Sequence, residues 1–141
     1  MSDENVRTID LTRIERARYR VTNPRGGFLE IGEGDDTNFT PVELLLAAIA
    51  GCTAIDVDYL TTKRSEPQRF DIVVSGVKKV ADDGNRLEDI VVGFDVTFPD
   101  DEAGRQAADR LEVAIDRSHD RLCTVSRTVE LGTPVQAGLR S

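Results

Sequence analysis

The sequence predicts an α+β fold in which a mostly antiparallel sheet wraps a long apolar helix and a second, amphipathic one. Three observations carry this expectation. Alternating extended segments flank turn residues at 17–31 and again at 70–98. Between them, Pro41 to about Lys63 combines a helix start with the most apolar run of the chain. Beyond them, Ala107, Leu111, Ala114 and Ile115 recur at helical spacing, with the charges elsewhere. The order hairpin, buried helix, hairpin, amphipathic helix, strand is that of an α+β domain.

The elements follow in order. "ARYRV" (17–21) alternates small or apolar residues with Arg, "TNPRGG" (22–27) supplies turn chemistry, and "FLEI" (28–31) resumes the extended pattern. The acidic loop "GEGDDTN" (32–38) leads into the first helix. There Thr40 is the N-cap, Pro41 fills the first helical position, where its missing N–H costs nothing, and Glu43 completes a capping box. The first half of that helix is apolar all round, so it must be covered by protein, and a homodimer that shares the cover would solve the problem for so short a chain. "FDIVVSGV" (70–77), the Asp-Gly turn in "ADDGN" (81–85), and the apolar set Leu87, Ile90, Val92, Phe94, Val96 and Phe98 make a second hairpin. "PDDE" (99–102) opens the amphipathic helix, and "SHDRLCTVSRTVEL" (118–131) reads as a passage through Cys123 into a last strand. One domain over 1–141 is expected, with 1–10 and 135–141 as mobile ends.

Composition excludes several functions. The 26 acidic against 18 basic residues leave a net charge of -8, which repels nucleic-acid backbones and anionic lipid surfaces alike. The start has no basic stretch followed by an apolar one, so no secretory signal is expected and the expected compartment is the cytoplasm. The nearly uncharged run 44–55 is too short to span a bilayer, and no membrane association is expected. One histidine and scattered acids form no metal ligand set, "GEGDDT" lacks a dinucleotide fingerprint, and no nucleophile elbow is present. The expectation is a protein without metal or cofactor.

The two cysteines are the residues with chemistry to offer. In a reducing compartment Cys52 and Cys123 are either inert core thiols or a transient redox pair. Free cysteine is among the most buried residues, so core filling is a sufficient local explanation for each. Ser118 beside His119 is adjacency rather than a triad, and His119 reads as a surface residue near a helix C-terminus. Arg16, Arg18 and Arg20 read as the wet face of a strand.

"FTPVELLLAAIAGCTAIDV" (39–57) together with "LCTVSRTV" (122–129) resembles the OsmC/Ohr superfamily, the osmotically inducible and organic hydroperoxide resistance proteins. The resemblance runs over roughly residues 12–135. It implies an OsmC-like intertwined homodimer and, in the characterised branches, a thiol peroxidase acting on organic hydroperoxides. By motif position Cys52 would be the attacking cysteine, oxidised to a sulfenic acid. Cys123 would resolve it as an intramolecular disulfide, which a dithiol reductant, lipoyl-type or other, would reduce. Arg25 occupies the hairpin turn whose Arg supports the thiolate in peroxidase branches, with Arg18 or Arg20 as alternatives.

Such support is needed, because burial in an apolar helix raises a thiol pKa and the helix dipole acts only near the first turn. The sequence departs from the peroxidase branches at the helix start, where Val42 follows Pro41 and the acid, Glu43, comes one position later. Nine residues of helix place Glu43 opposite Cys52 and roughly 13 Å along. Glu43 therefore cannot touch its own Cys52, and a role in orienting Arg25 would require a site built from two chains. The departure keeps two further readings open: a non-catalytic stress-related binding or structural protein on the same fold, and a slow thiol redox sensor.

Overall fold

The computed structural model describes residues 5–140. It divides into two compact units, Met1–Leu45 and Leu46–Ser141. The α+β class and the antiparallel pairing are as expected.

In the first unit, β1 (Asp10–Glu15), β2 (Arg18–Thr22) and β3 (Phe28–Ile31) form an antiparallel sheet with β2 in the middle. The β2–β3 turn is held by Asn23, whose Oδ1 accepts the Arg25 and Gly27 N–H groups, each at 3.0 Å. Gly26 sits there at φ +92°, a conformation that costs glycine little. Arg18 and Arg20 both pair with Glu30 across the sheet, at 3.5 and 3.8 Å, and Arg20 also stacks over Phe28. Of the arginines expected on the wet face of a strand, Arg20 is exposed in β2 and Arg18 half-buried there, while Arg16 falls in the β1–β2 turn. β1 was not expected: Asp10–Glu15 is exposed at every position, so no burial pattern marks it in the sequence.

The helix start is the capping box read from the sequence. The Thr40 N–H donates to Glu43 Oε1 at 2.8 Å, and the Glu43 N–H donates to Thr40 Oγ1 at 3.2 Å. Helix α1 runs over Pro41–Thr62. It buries one stripe, Ile49, Thr53, Val57 and Thr61, at the four-residue spacing of a helix face. The first half of α1, expected to need the cover of a second chain, is not covered all round by its own, with Val42 43% and Leu45 38% exposed. The apolar run is also part of a longer element than 44–55. Helix α1 is long and apolar enough to cross a membrane by length and composition, with a mean hydropathy of 1.6 over an 18-residue window. Asp56 is nevertheless tied to the second unit's own polar groups, as described below.

In the second unit, β4 (Arg69–Ala81) and β5 (Gly84–Thr97) make a long antiparallel hairpin. Ala81 pairs with Gly84, so the loop proper is Asp82–Asp83, and Gly84 at φ +128° begins β5 rather than completing an Asp-Gly turn. A bulge between Ser75 and Val77, opposite Asp89 at φ 54°, shifts the register. It accounts for the three-residue step between Leu87 and Ile90 in an otherwise period-two series.

Helix α2 (Glu102–Arg117) starts at Asp101, whose side chain accepts the Gly104 N–H at 2.7 Å. The last strand is a correction. Residues Ser118–Leu122 form one π-helical turn, and Thr124–Leu131 is an eight-residue helix, α3, capped by Cys123 and ended by Gly132 at φ 64°. The β-branched residues of "CTVSRTVEL" suggested a strand, but Val125 and Val129 are equally an i, i+4 pair. The terminal signals Cys123, Ser126 and Gly132 decide for the helix.

Gly104 offers a test of how α2 begins. It is buried, and a Cβ built on it would collide with the Pro99 carbonyl, so the chain entering the helix requires glycine there. Helix propensity alone favours Ala over Gly by about 1 kcal/mol. Gly104→Ala is nevertheless expected to destabilise, by about 1–3 kcal/mol as overpacking does. Urea unfolding midpoints check the sign.

Candidate functional site

The second unit assembles its chemistry where the π turn meets α1. Ser118 is fully buried, and its hydroxyl donates to Asp56 Oδ2 at 2.8 Å. The carbonyl of Ser118 in turn accepts the Cys123 N–H at 2.8 Å. One buried serine thus anchors the segment carrying Cys123 onto the helix carrying Cys52, four residues before Asp56. Thr53, on the buried stripe of α1, donates its hydroxyl to Cys123 Sγ at 3.5 Å.

Cys123 is completely buried and surrounded by polar groups. As the N-cap of α3 its sulfur accepts the Ser126 N–H at 3.4 Å. Ser126 Oγ lies 3.2 Å away, accepting from the thiol or donating to a thiolate. Cys52 is half-buried, and the Val125 backbone N–H and Cys123 both act on its thiol. Both thiols are free. The structure therefore brings together two cysteines 71 positions apart.

Their electrostatics are opposed. Burial pushes the Cys52 thiol up, the Val125 N–H offsets part of this, and the neighbouring Cys123 and the Asp56 charge add to the rise. Burial also acts upward on Cys123. It is outweighed there by the Ser126 hydroxyl and N–H, the Thr53 hydroxyl and Cys52, so the Cys123 thiol lies below its usual value. The pair is poised to lose its first proton from Cys123.

Arg25 and Glu43 belong to the first unit. Arg25 is exposed in the β2–β3 turn, and its guanidinium forms no ion pair among the described residues. The contacts of Glu43 are those of the capping box. His119 is exposed and stands 3.4 Å from Glu130, as a surface residue would. Among the described residues no cluster of His, Cys, Asp or Glu could hold a metal ion. Sequence reasoning missed Thr53, Asp56, Ser118 and Ser126. Ser126, three residues after Cys123, had the spacing of a helix-cap pair and could have been found.

Beside this pair lies a cavity of about 290 Å³. Ile49, Ile90, Val92 and Phe94 give it apolar walls, and Thr53 and Ser126, both touching Cys123, form part of its lining.

A two-sheet α+β chain with a capped apolar helix and two free thiols at its π turn defines a class, and comparison with known proteins identifies it. The family described as OsmC-like protein matches residues 33–137, and the chain belongs to that family. It is 31% identical over 121 residues to an uncharacterized protein of Mycobacterium tuberculosis (strain H37Rv), covering 84% of this chain and 85% of that one. Among solved structures, a hypothetical protein of Aquifex aeolicus VF5 superposes with a TM-score of 0.73 at 26% identity, over 91% of this chain and 89% of that one. An organic hydroperoxide resistance protein OsmC of Legionella pneumophila shares the fold, with a TM-score of 0.65 at 12% identity and 91% of each chain covered.

The opposed shifts can be read directly. Because folding lowers the Cys123 pKa, its thiolate contributes stability above the usual thiol value of about 8.5, a contribution lost as pH falls through the lowered folded value. Ultraviolet thiolate absorbance of the reduced protein is expected to rise in two steps, the first below that value and the second above it. Cys123→Ser should remove the first step and Cys52→Ser should keep it; loss of the first step in Cys52→Ser would reverse the assignment.

Proposed function

We propose that this protein is a thiol-dependent peroxidase with a role in oxidative stress, reducing organic, lipid-like hydroperoxides through Cys52 and Cys123. The observation that carries the reading is that the Cys123 segment is tied to the helix carrying Cys52, through Thr53 on the Cys123 sulfur and Ser118 on Asp56, with the two thiols acting on each other. A resolving partner at that position converts an overoxidation-prone sulfenic acid into a reducible disulfide. Membership of the OsmC-like family, and structural likeness to proteins named for organic hydroperoxide resistance, support the same reading. The apolar walls of the neighbouring cavity favour greasy peroxides over hydrogen peroxide.

In this reading Cys52 attacks the distal peroxide oxygen, giving a sulfenic acid and an alcohol, and Cys123 condenses with it to a disulfide and water. A dithiol, lipoyl-type or other, restores the pair. The working unit is a homodimer in the cytoplasm. Exposed Leu45, Ile55 and Tyr59 on α1 support the dimer, because a partner would cover them. Arg25 is the cation assigned to support the thiolate, oriented by Glu43, in a site that draws on both chains.

Thiol counting tests the activity. One equivalent of cumene hydroperoxide is expected to consume both thiols of the reduced protein rapidly and to leave Cys52→Ser untouched, with hydrogen peroxide slower. Survival of both thiols on the timescale that oxidises free cysteine would overturn the reading in favour of an inert binding protein on this fold. Light scattering should give twice the chain mass, and Ile55→Arg, on the uncovered face of α1, should shift the protein toward monomer.

A further inference from the structure

A disulfide between Cys52 and Cys123 has two sulfurs that a reductant could attack. Exchange requires the incoming thiolate to approach along the S–S axis, behind the sulfur it attacks, and it runs faster when the departing sulfur is the better-stabilised thiolate. The reduced pair bears on both conditions, because it is the product of that reaction.

Access differs between the sulfurs. Cys123 is 0% exposed within its own chain, and a second subunit can only add cover. Its sulfur is enclosed by the Ser126 hydroxyl at 3.2 Å, the Ser126 N–H at 3.4 Å and the Thr53 hydroxyl at 3.5 Å. An external thiol has no approach to it while α3 is in place. Cys52 is half-buried, and a route to its sulfur is already demanded by the peroxide that oxidises it.

The same groups decide the leaving side. When the S–S bond breaks, the departing sulfur receives the electron pair, and all three can donate a hydrogen bond to that charge on Cys123. The Ser126 N–H is one of the free donors at the start of α3, which Cys123 caps. The lowered Cys123 thiol agrees, since a thiol of lower pKa leaves faster.

Resting on the peroxidase reading, we infer that the dithiol reductant attacks the Cys52 sulfur and that Cys123 is the leaving thiolate, received by Ser126 and Thr53. One thiolate of the reductant bonds to the Cys52 sulfur, and the electron pair of the S–S bond passes to Cys123. The second thiol of the same reductant molecule, once deprotonated, attacks the reductant sulfur of that mixed disulfide. A cyclic disulfide departs and Cys52 is released as a thiolate. The reductant loses two electrons, the protein gains them, and the two protons given up by the reductant are balanced by two taken up on the cysteines. The Cys123 thiolate can reverse the first step by attacking Cys52 again. A second thiol on the same reductant outruns that reversal, whereas a monothiol must wait for another molecule. Ser126 and Thr53 are positioning residues, since they meet the reductant only through Cys123.

The test starts from the parent oxidised to the disulfide, by cumene hydroperoxide or by diamide. A brief pulse of excess 2-mercaptoethanol, an acid quench and peptide mass mapping locate the adduct. Mercaptoethanol on Cys52 with Cys123 free is expected; the adduct on Cys123 with Cys52 free overturns the inference. Reduction of the disulfide by dithiothreitol should slow about 3- to 10-fold in Ser126→Ala, part of what a hydrogen bond to a charged group contributes. A change of leaving group separates this from a structural effect. In Cys123→Ser labelled at Cys52 with thionitrobenzoate, the departing sulfur belongs to the label, and adding Ser126→Ala should leave the rate of its release by dithiothreitol unchanged. Slowing of both reactions alike, or of neither, overturns the role given to Ser126. If diamide forms the disulfide and cumene hydroperoxide does not, the peroxidase reading fails while the adduct still decides which sulfur is attacked. If neither oxidant joins the thiols, both fall.

Discussion

The hydrogen bond from Ser118 to Asp56 is the constraint on which the dithiol depends. A buried serine hydroxyl costs free energy unless it finds a partner, and the half-buried Asp56 carboxylate supplies it, so their pairing specifies where the π turn sits on α1. Once that point is set, the Cys123 N–H reaches the Ser118 carbonyl, α3 begins at Cys123, and the sulfur faces Thr53 and Cys52. Apolar burial alone would place the segment less specifically. Ile49 and Val57 share the buried stripe of α1 with Thr53 and Thr61, and only Thr53 has a partner in the π-turn and α3 segment, through Cys123.

Asp56 does two things that oppose each other. It holds the segment that carries Cys123, and its charge makes the Cys52 thiolate harder to form. A fold built only to activate Cys52 would place a cation there. In this chain the favourable donors converge instead on Cys123, through a helix cap and two hydroxyls. The asymmetry is a property of local structure: an eight-residue helix that starts at a cysteine offers that sulfur its free N–H groups.

What was legible in the sequence follows from which signals are local. The capping box of Thr40, Pro41 and Glu43 is satisfied within four residues, and it appears as read. The two hairpins and α2 have strong periodicity and explicit turn or cap residues, and they appear too. β1 is exposed along its whole length, so no alternation of burial could announce it. The segment after Cys123 misled because β-branched residues at i and i+4 serve a strand or a helix equally, and the caps that settle the matter are Cys123 and Gly132. The two thiols were recognisable from their motifs. The groups that anchor the Cys123 segment, Asp56 and Ser118, are 62 positions apart and carry no pattern of their own.

The placement of charge also bears on Glu43 and Arg25. Glu43 spends both its backbone N–H and its carboxylate on Thr40, which is a complete structural role at the helix start. A carboxylate so engaged keeps lone pairs for a guanidinium, but no longer needs one to explain its presence. Val42, where peroxidase branches place the acid, is 43% exposed and offers nothing to an arginine. A chain that moves the acid by one position rotates it about 100° around the helix. Within the second unit the polar contacts fall on the other thiol, where Ser126 and Thr53 sit on the Cys123 sulfur itself.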